Sequence, residues 1–174
     1  MKVAILGAGG LGRTLADVLR RCADHEPVGF VDDGAAPGTR LADLPVLGPL
    51  DALATTGADA AVAAVGNPTV RRALADRAAA AGLALPIVID PTAVVSPAAR
   101  LADGVVVGPH TVIGPGATLG RLTIVAAGSV VEHDAEVGDA CYIGPRCLID
   151  ARARLADGTI IRDGRVVRQD EHVG

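Results

Sequence analysis

The chain has 174 residues, 16 basic and 20 acidic side chains, a net charge of −4 and 50% hydrophobic residues. This length fits one ordinary domain or two small ones, and the apolar content excludes a disordered chain. The slight acidic excess argues against a nucleic-acid partner, because neutralising phosphates requires a basic surface. With one Phe, one Tyr and no Trp, the core must be aliphatic, and stacking of aromatic side chains on bases is almost unavailable.

The cysteines and the apolar segments indicate where the protein works. Cys22, Cys141 and Cys147 are odd in number and lack a disulfide framework spacing, which favours a reducing compartment, the cytoplasm. The longest apolar run, residues 78–89, is interrupted by Gly82 and Pro86 and is too short to span a membrane. No membrane partner is therefore expected.

The first half of the chain alternates short apolar runs with helical patterns. Strands are predicted at residues 3–6, 28–31, 60–65 and 87–89. A helix is predicted from Leu11 to Cys22, where apolar residues fall on one face, and a second begins with Asn67 as N-cap and Pro68 as its first residue. This alternation predicts a small parallel α/β domain over residues 1–89.

The second half follows a different period, because an aliphatic residue recurs at every sixth position. The fourteen positions are Val95, Leu101, Val107, Ile113, Leu119, Val125, Val131, Val137, Ile143, Ile149, Leu155, Ile161, Val167 and Val173. A small side chain follows most of them four residues later. Neither a helix nor a plain strand has a period of six, whereas a hexapeptide β-helix does. The pattern predicts a triangular prism of about four coils over residues 90–174, with the aliphatic and small residues pointing inward.

A glycine-rich loop in the first half is a candidate nucleotide site. Gly7, Gly9, Gly10 and Gly12 lie in a G-x-G-x-x-G pattern between a strand and a helix, and Asp32 follows 20 residues after Gly12. This arrangement lets a pyrophosphate approach the backbone at a helix N-terminus. The alternative is a tight packing turn that binds nothing. The sheet is too small for two mononucleotide halves, which argues against NAD, and whether Asp32 or Asp33 contacts the nucleotide stays open.

A histidine in the second half is a candidate catalytic base. His133 lies between Glu132 and Asp134 at an outward corner position of its hexapeptide. A neutral imidazole between carboxylates suits a general base, whereas the competing interpretation is a surface histidine without a role. No metal is expected, because His110 and His133 are 23 residues apart with no further histidine close to either. The C-terminal arginines fit a solvated end cap better than a phosphate site.

These features in combination resemble one family, the sugar acyltransferases that include sialic-acid O-acetyltransferases and UDP-4-amino-sugar N-acetyltransferases of bacterial glycan pathways. The resemblance covers nearly the whole chain and rests on residues 7–12, 30–33, 64–67, 94–97 and 129–134. It implies a Rossmann-like domain that binds a nucleotide sugar, followed by a left-handed parallel β-helix. It also implies a homotrimer with active sites in grooves between neighbouring prisms.

The resemblance further implies roles for individual residues. His133 matches the family's catalytic base, and Asp134 matches the acidic residue that supports it. The nucleotide sugar would contact the glycine loop, Asp32, Asp33, Gly66 and Asn67, whereas acetyl-CoA, the cosubstrate, would contact Tyr142, Gly144 and Ala151. By the family pattern, the backbone N–H of Ala151, one coil after the base, would stabilise the oxyanion.

The sequence also departs from the family. Leu11 stands where the family often has His, Tyr142 replaces a second His nine residues after the base, and Ala126 replaces an Asn seven residues before it. The chain ends at Gly174 without the family's Gly-x-Pro-Ala tail, which predicts a shortened CoA groove.

The prediction is an acetyl-CoA-dependent acetyltransferase of a nucleotide-linked amino sugar, with transfer to nitrogen slightly preferred over oxygen. The alternatives are a non-catalytic nucleotide-sugar-binding trimer of the same fold and, from the glycine loop alone, an NAD-dependent oxidoreductase.

Overall fold

The computed structural model describes all 174 residues and divides into two compact units, Met1–Pro86 and Ile87–Gly174. The first unit contains strands β1 (Lys2–Leu6), β2 (Glu26–Val31), β3 (Arg40–Leu41), β4 (Leu44–Gly48) and β5 (Ala60–Ala63). They form one sheet in the order β3-β4-β2-β1-β5, in which every pair is parallel except β3 and β4. This arrangement is the Rossmann-like α/β domain predicted from the sequence.

Two α-helices and a short 3₁₀ helix connect these strands. Helix α1 (Gly10–Arg21) follows β1, the 3₁₀ helix (Leu50–Thr55) follows β4, and helix α2 (Pro68–Ala80) follows β5. The predicted start of α2 is confirmed, because Asn67 Oδ1 accepts a hydrogen bond from the Val70 N–H at 3.1 Å. Neither α-helix is both long and apolar enough to cross a membrane.

The second unit is a left-handed parallel β-helix of two-residue strands, with five strands on each of its three faces. The first face holds Val88–Ile89, Val106–Val107, Ile124–Val125, Tyr142–Ile143 and Ile160–Ile161. The second face holds Val94–Val95, Val112–Ile113, Val130–Val131, Leu148–Ile149 and Val166–Val167. The third face holds Arg100–Leu101, Thr118–Leu119, Glu136–Val137, Arg154–Leu155 and His172–Val173.

One strand predicted for the α/β sheet belongs to the β-helix, so that prediction is wrong. Val88–Ile89 pairs in parallel with Val106–Val107 on the first face. A three-residue apolar run has no period of its own, and Ile89 lies six residues before Val95, in phase with the aliphatic ladder. With this strand the unit has five strands on each face, not the predicted four coils.

The interior of the β-helix follows the six-residue ladder. All fourteen aliphatic positions lie in the core or pack against it. Small polar residues are also buried there, because each bonds to the backbone of the next coil. Thr123 Oγ1 donates to the Gly138 carbonyl at 2.8 Å, and Ser129 Oγ donates to the Gly144 carbonyl at 2.8 Å. Cys147 has the same role, since its Sγ lies 3.0 Å from the Arg162 carbonyl, and burial raises the pKa of its thiol.

From residue 102 onward, the turns between faces share one backbone geometry. Every sixth residue from Gly104 to Asp170 has a positive φ, between 53° and 74°: Gly104, His110, Gly116, Leu122, Gly128, Asp134, Ala140, Arg146, Arg152, Gly158, Gly164 and Asp170. A left-handed residue at each corner lets a turn of four residues redirect the chain from one face to the next. The corners therefore differ in side chains rather than in backbone path.

Candidate active site

The predicted base lies on a corner between the second and third faces. We call the stacked turns 96–99, 114–117, 132–135, 150–153 and 168–171 the His133 corner. His133 Nδ1 lies 2.9 Å from Asp134 Oδ2, and the two side chains are 47% and 61% exposed. When the carboxylate accepts the Nδ1 proton, the lone pair of the imidazole is on Nε2, which makes Nε2 the proton acceptor.

Glycines in the preceding coil let the His133 turn sit close to its neighbour. A Cβ added to Gly114 would lie 2.7 Å from the His133 nitrogen, and one added to Gly116 would collide with the Asp134 carboxylate. In the following coil, the Arg152 N–H donates to the His133 carbonyl at 3.2 Å. The coils on both sides therefore fix the backbone that carries the His133–Asp134 pair.

An ion pair lies on the same corner, in the two coils that follow the base. The Arg152 guanidinium binds both carboxylate oxygens of Asp170, at 2.8 and 2.9 Å. This hydrogen bonding lowers the pKa of Asp170 and raises that of Arg152. The positive charge of Arg152 also faces Asp134 and Asp150, so it partly balances the acidic surroundings of the base.

The proposed oxyanion donor follows the base by one coil. The Ala151 N–H donates to Asp150 Oδ1 at 2.8 Å. Asp150 is half-buried and the Ala151 side chain is buried. A carboxylate therefore accepts the backbone hydrogen that the sequence prediction assigned to the oxyanion.

The other two predicted acetyl-CoA contacts lie away from the base within one chain. Tyr142 is on the first face, and Gly144 begins the turn from the first face to the second. The first face is the one that does not border the His133 corner. The third face does border it and carries a cleft of about 500 Å³ whose lining includes Glu136, Arg154 and His172.

The glycines in the loop of the first unit differ in the space around them. Gly7 has a φ of 109°, and a Cβ added to Gly12 would collide with the Gly7 carbonyl. These two glycines allow α1 to pack closely on the loop. By contrast, a Cβ added to Gly9 or Gly10 would meet no atom within 4 Å. The loop therefore presents open space at the N-terminus of α1, where the first helical N–H groups have no helical acceptor.

The two aspartates after β2 have different partners. Asp32 Oδ2 accepts from the Ala8 N–H at 2.7 Å and Oδ1 accepts from the Gly34 N–H at 2.8 Å. Asp33 is exposed, and its Oδ1 accepts from the Leu50 N–H at 2.8 Å. Asp32 Oδ2 thus holds the glycine loop against the end of β2, and Oδ1 closes the turn to Gly34.

The loop after β5 brings Gly66 and Asn67 to the start of α2. Arg71 is only 1% exposed, and its Nη1 donates to the carbonyls of Val65 at 2.6 Å and Gly66 at 3.0 Å. The sequence prediction missed this arginine. Its signal is its place on the buried stripe of α2 with Leu74, Ala75 and Ala78, where a charged residue needs buried partners.

Asp150 was also missed, although it directly precedes the predicted oxyanion donor. No cluster of three or more His, Cys, Asp or Glu side chains is arranged to hold a metal ion. None of the three cysteines forms a disulfide.

Comparisons with known proteins match both units. Residues 2–78 match the family described as the PglD N-terminal domain, and residues 98–133 match the bacterial transferase hexapeptide family of six repeats. No curated protein sequence matches the chain.

Solved structures match over the full length. One is a histidine-to-asparagine variant of perosamine N-acetyltransferase from Caulobacter crescentus in complex with CoA and GDP-perosamine, with a TM-score of 0.84 and 30% identity over 100% of this chain and 91% of that chain. The acetyltransferase domain of PglB from Neisseria gonorrhoeae, in complex with acetyl coenzyme A, has a TM-score of 0.80 and 26% identity over 98% of this chain and 97% of that one. WeeI from Acinetobacter baumannii shares the fold, with a TM-score of 0.83 and 23% identity over 100% of this chain and 95% of that one.

The predicted resemblance is therefore confirmed. A Rossmann-like unit, a left-handed β-helix and full-length similarity to sugar acetyltransferases show that this chain is an acyltransferase and belongs to the hexapeptide-repeat sugar acyltransferase family.

Proposed function

We propose that the protein transfers an acetyl group from acetyl-CoA to a nucleotide-linked amino sugar, with His133 as the general base. The observation that carries this proposal is the His133–Asp134 pair, held at 2.9 Å on an exposed corner of the β-helix. A base on a solvent-accessible corner can reach two bulky substrates, which a histidine in the core could not.

The chemistry needs one proton acceptor and one oxyanion donor. His133 Nε2 takes a proton from the amino group of the sugar as that nitrogen attacks the thioester carbonyl carbon. The new C–N bond forms, and the Ala151 N–H stabilises the tetrahedral oxyanion. The C–S bond then breaks, the imidazolium returns its proton to the leaving thiolate, and free CoA is released. Alignment of the amine with the thioester supplies much of the rate.

Acidic groups around the base favour nitrogen over oxygen as the acceptor. Glu132, Asp134 and Asp150 lie on two successive turns of the His133 corner. Their negative charges attract an amino sugar in its ammonium form, which loses one proton to solvent, so that the neutral amine attacks and gives a second proton to His133. A neutral hydroxyl lacks this attraction between opposite charges.

The first unit is proposed to bind the nucleotide. Gly9 and Gly10 leave open space at the N-terminus of α1, where a diphosphate can accept backbone hydrogen bonds. Gly66 also has open space, and Asn67 lies beside it at the start of α2. Since both oxygens of Asp32 already accept backbone hydrogen bonds, the exposed Asp33 is the better candidate for a ribose hydroxyl.

The enzyme is proposed to work as a homotrimer. The outward positions of the second face are all aliphatic, and Val94, Val112 and Val166 are 65%, 39% and 51% exposed. An apolar column of this kind fits an interface between copies. In a head-to-tail ring, the accessible end of a neighbour's first face, at Tyr142 and Ile160, could cover this column and bring Tyr142 and Gly144 of the neighbour towards His133.

The second candidate function is a non-catalytic nucleotide-sugar-binding trimer. It is favoured by two observations, Tyr142 in place of the family's second histidine and the carboxylate of Asp150 on the Ala151 N–H. An NAD-dependent oxidoreductase would have no use for the β-helix. Three cysteines without a disulfide fit a reducing compartment, and we place the enzyme in the cytoplasm.

Thermal-shift measurements separate these functions. UDP-, GDP-, CMP- and dTDP-linked amino sugars are tested with and without acetyl-CoA, and NAD is tested separately. The acetyltransferase predicts stabilisation by one nucleotide sugar and by acetyl-CoA. Calorimetry that shows no CoA binding at millimolar ligand would instead support the non-catalytic trimer, and stabilisation by NAD alone would support the oxidoreductase.

A further inference from the structure

Where the second residue of a β-helix turn is not proline, its backbone N–H has no backbone acceptor. At the corner between the third and first faces, which we call the Asp139 corner (residues 102–105, 120–123, 138–141 and 156–159), aspartates of the next coil supply it. The Arg121 N–H donates to Asp139 Oδ1 at 2.7 Å, and the Asp139 N–H donates to Asp157 Oδ1 at 2.8 Å. These bonds close the corner from coil to coil.

At the His133 corner, the second residue of the turn has no such bond to an aspartate of the next coil. Its first two equivalents are Pro97 and Pro115, which have no N–H. At Ala151 the N–H is taken by Asp150, the residue just before it, at 2.8 Å. The acceptor thus comes from the same turn rather than from the next coil, so it holds no two coils together.

We infer that Asp150 caps the oxyanion donor and opposes the productive binding of acetyl-CoA. This inference rests on the proposed function. An N–H carries one hydrogen, so the thioester oxygen must displace the carboxylate before it can bind Ala151. A carboxylate that stays nearby also repels the oxyanion as its charge develops.

The side chain has a partner for this movement. Asp150 is half-buried at the surface of the corner, and the Arg152 guanidinium interacts electrostatically with it. Rotation of Asp150 away from Ala151 therefore leaves its charge near a cation. Asp150 sets how readily the oxyanion site opens, without touching the reacting atoms.

Steady-state kinetics of Asp150→Ala, Asp150→Asn and the control Asp157→Ala test the inference. Asp157 also accepts a backbone N–H with its carboxylate, but on the other corner and from the preceding coil. We expect Asp150→Ala to raise kcat/KM for acetyl-CoA about three- to tenfold, the effect of removing one competing hydrogen bond. Asp150→Asn keeps an acceptor but loses the charge, so its rise should be smaller. Asp157→Ala should leave both kcat/KM for acetyl-CoA and KM for the sugar unchanged.

The outcomes separate this inference from the proposed function. Wild-type protein that transfers no acetyl group to any amino sugar overturns the proposed function and the inference with it. Wild-type turnover, combined with an unchanged or lowered kcat/KM in a folded Asp150→Ala, overturns the inference alone. If Asp150→Ala does not fold, the near-isosteric Asp150→Asn decides in the same way.

Discussion

The His133 corner and the Asp139 corner have the same backbone and different chemistry. In both, the third residue of the turn is left-handed, Asp134 in one and Ala140 in the other. At the Asp139 corner, carboxylates bind backbone N–H groups of the preceding coil and act as structural ties. At the His133 corner, the carboxylate of Asp134 binds an imidazole that faces solvent.

This difference shows how a repeat fold acquires a site. The inward ladder fixes the coil, so the outward turn positions are free to vary. One exchange, a histidine where the next repeat has Asp139, converts a structural tie into a candidate base. The matched positions of the two corners provide controls for each prediction below.

The largest expected effect is on turnover, from removal of the imidazole. We expect His133→Ala to lower kcat by roughly 10²–10⁴-fold, the contribution of a positioned general base. Asp139→Ala occupies the same turn position one repeat later and should keep kcat while it destabilises the protein. The measurement is acetyl transfer by both variants, with folding checked by circular dichroism. A loss of less than tenfold in His133→Ala would remove His133 as the base.

A smaller effect is expected from the partner of the base. Asp134→Asn keeps the shape of the side chain but removes the charge that accepts the Nδ1 proton, so kcat should fall less than in His133→Ala. The binding of acetyl-CoA should persist. Equal kcat values for Asp134→Asn and wild type would show that the carboxylate does not orient the ring.

The glycines of the two corners form a matched pair. An added Cβ would lie 2.7 Å from the His133 nitrogen at Gly114 and 2.6 Å from the Asp139 nitrogen at Gly120. Both Gly→Ala variants should lose about 1–3 kcal/mol of unfolding free energy because backbone must shift. Gly114→Ala alone should also lower kcat, since the shift moves His133. An equal decrease in kcat in both variants would contradict the claim that only the shift at Gly114 moves the base.

The smallest effect concerns the Arg152–Asp170 ion pair of the His133 corner. The hydrogen bonds from Arg152 lower the pKa of Asp170, so the ionised form is favoured in the folded state. Its stabilisation is present above the ordinary carboxyl pKa and is lost as the pH falls below about 4. Asp170→Asn should therefore unfold at a slightly lower temperature than wild type at pH 7, and this difference in melting temperature should vanish in acid. A difference that is constant with pH would contradict this origin.

The sequence predicts the β-helix in more detail than the α/β unit. The ladder from Val95 to Val173 has a period that no other element produces, and each of its positions packs in the core. The hairpin of Arg40–Leu41 and Leu44–Gly48 was not predicted, because these strands are short and contain Pro45. Their stability depends on pairing with Glu26–Val31, which a local pattern does not show.

The candidate site likewise contains residues that the sequence predicts and residues that it does not. The family resemblance identified His133 and Asp134 from neighbouring letters, and the structure places their side chains in contact. Asp150 and Arg71 depend on the direction of one side chain towards a particular N–H or carbonyl. The six-residue period shows which residues point inward. It does not show which outward side chain binds which neighbouring group.

Mass spectrometry of nucleotide sugars after incubation with wild-type protein and acetyl-CoA tests the central claim most directly. The account predicts that one amino sugar gains an acetyl group on nitrogen and that free CoA appears in equal amount. A nucleotide sugar and acetyl-CoA that both bind, without any acetylated product, would contradict it and leave a binding protein in place of an enzyme.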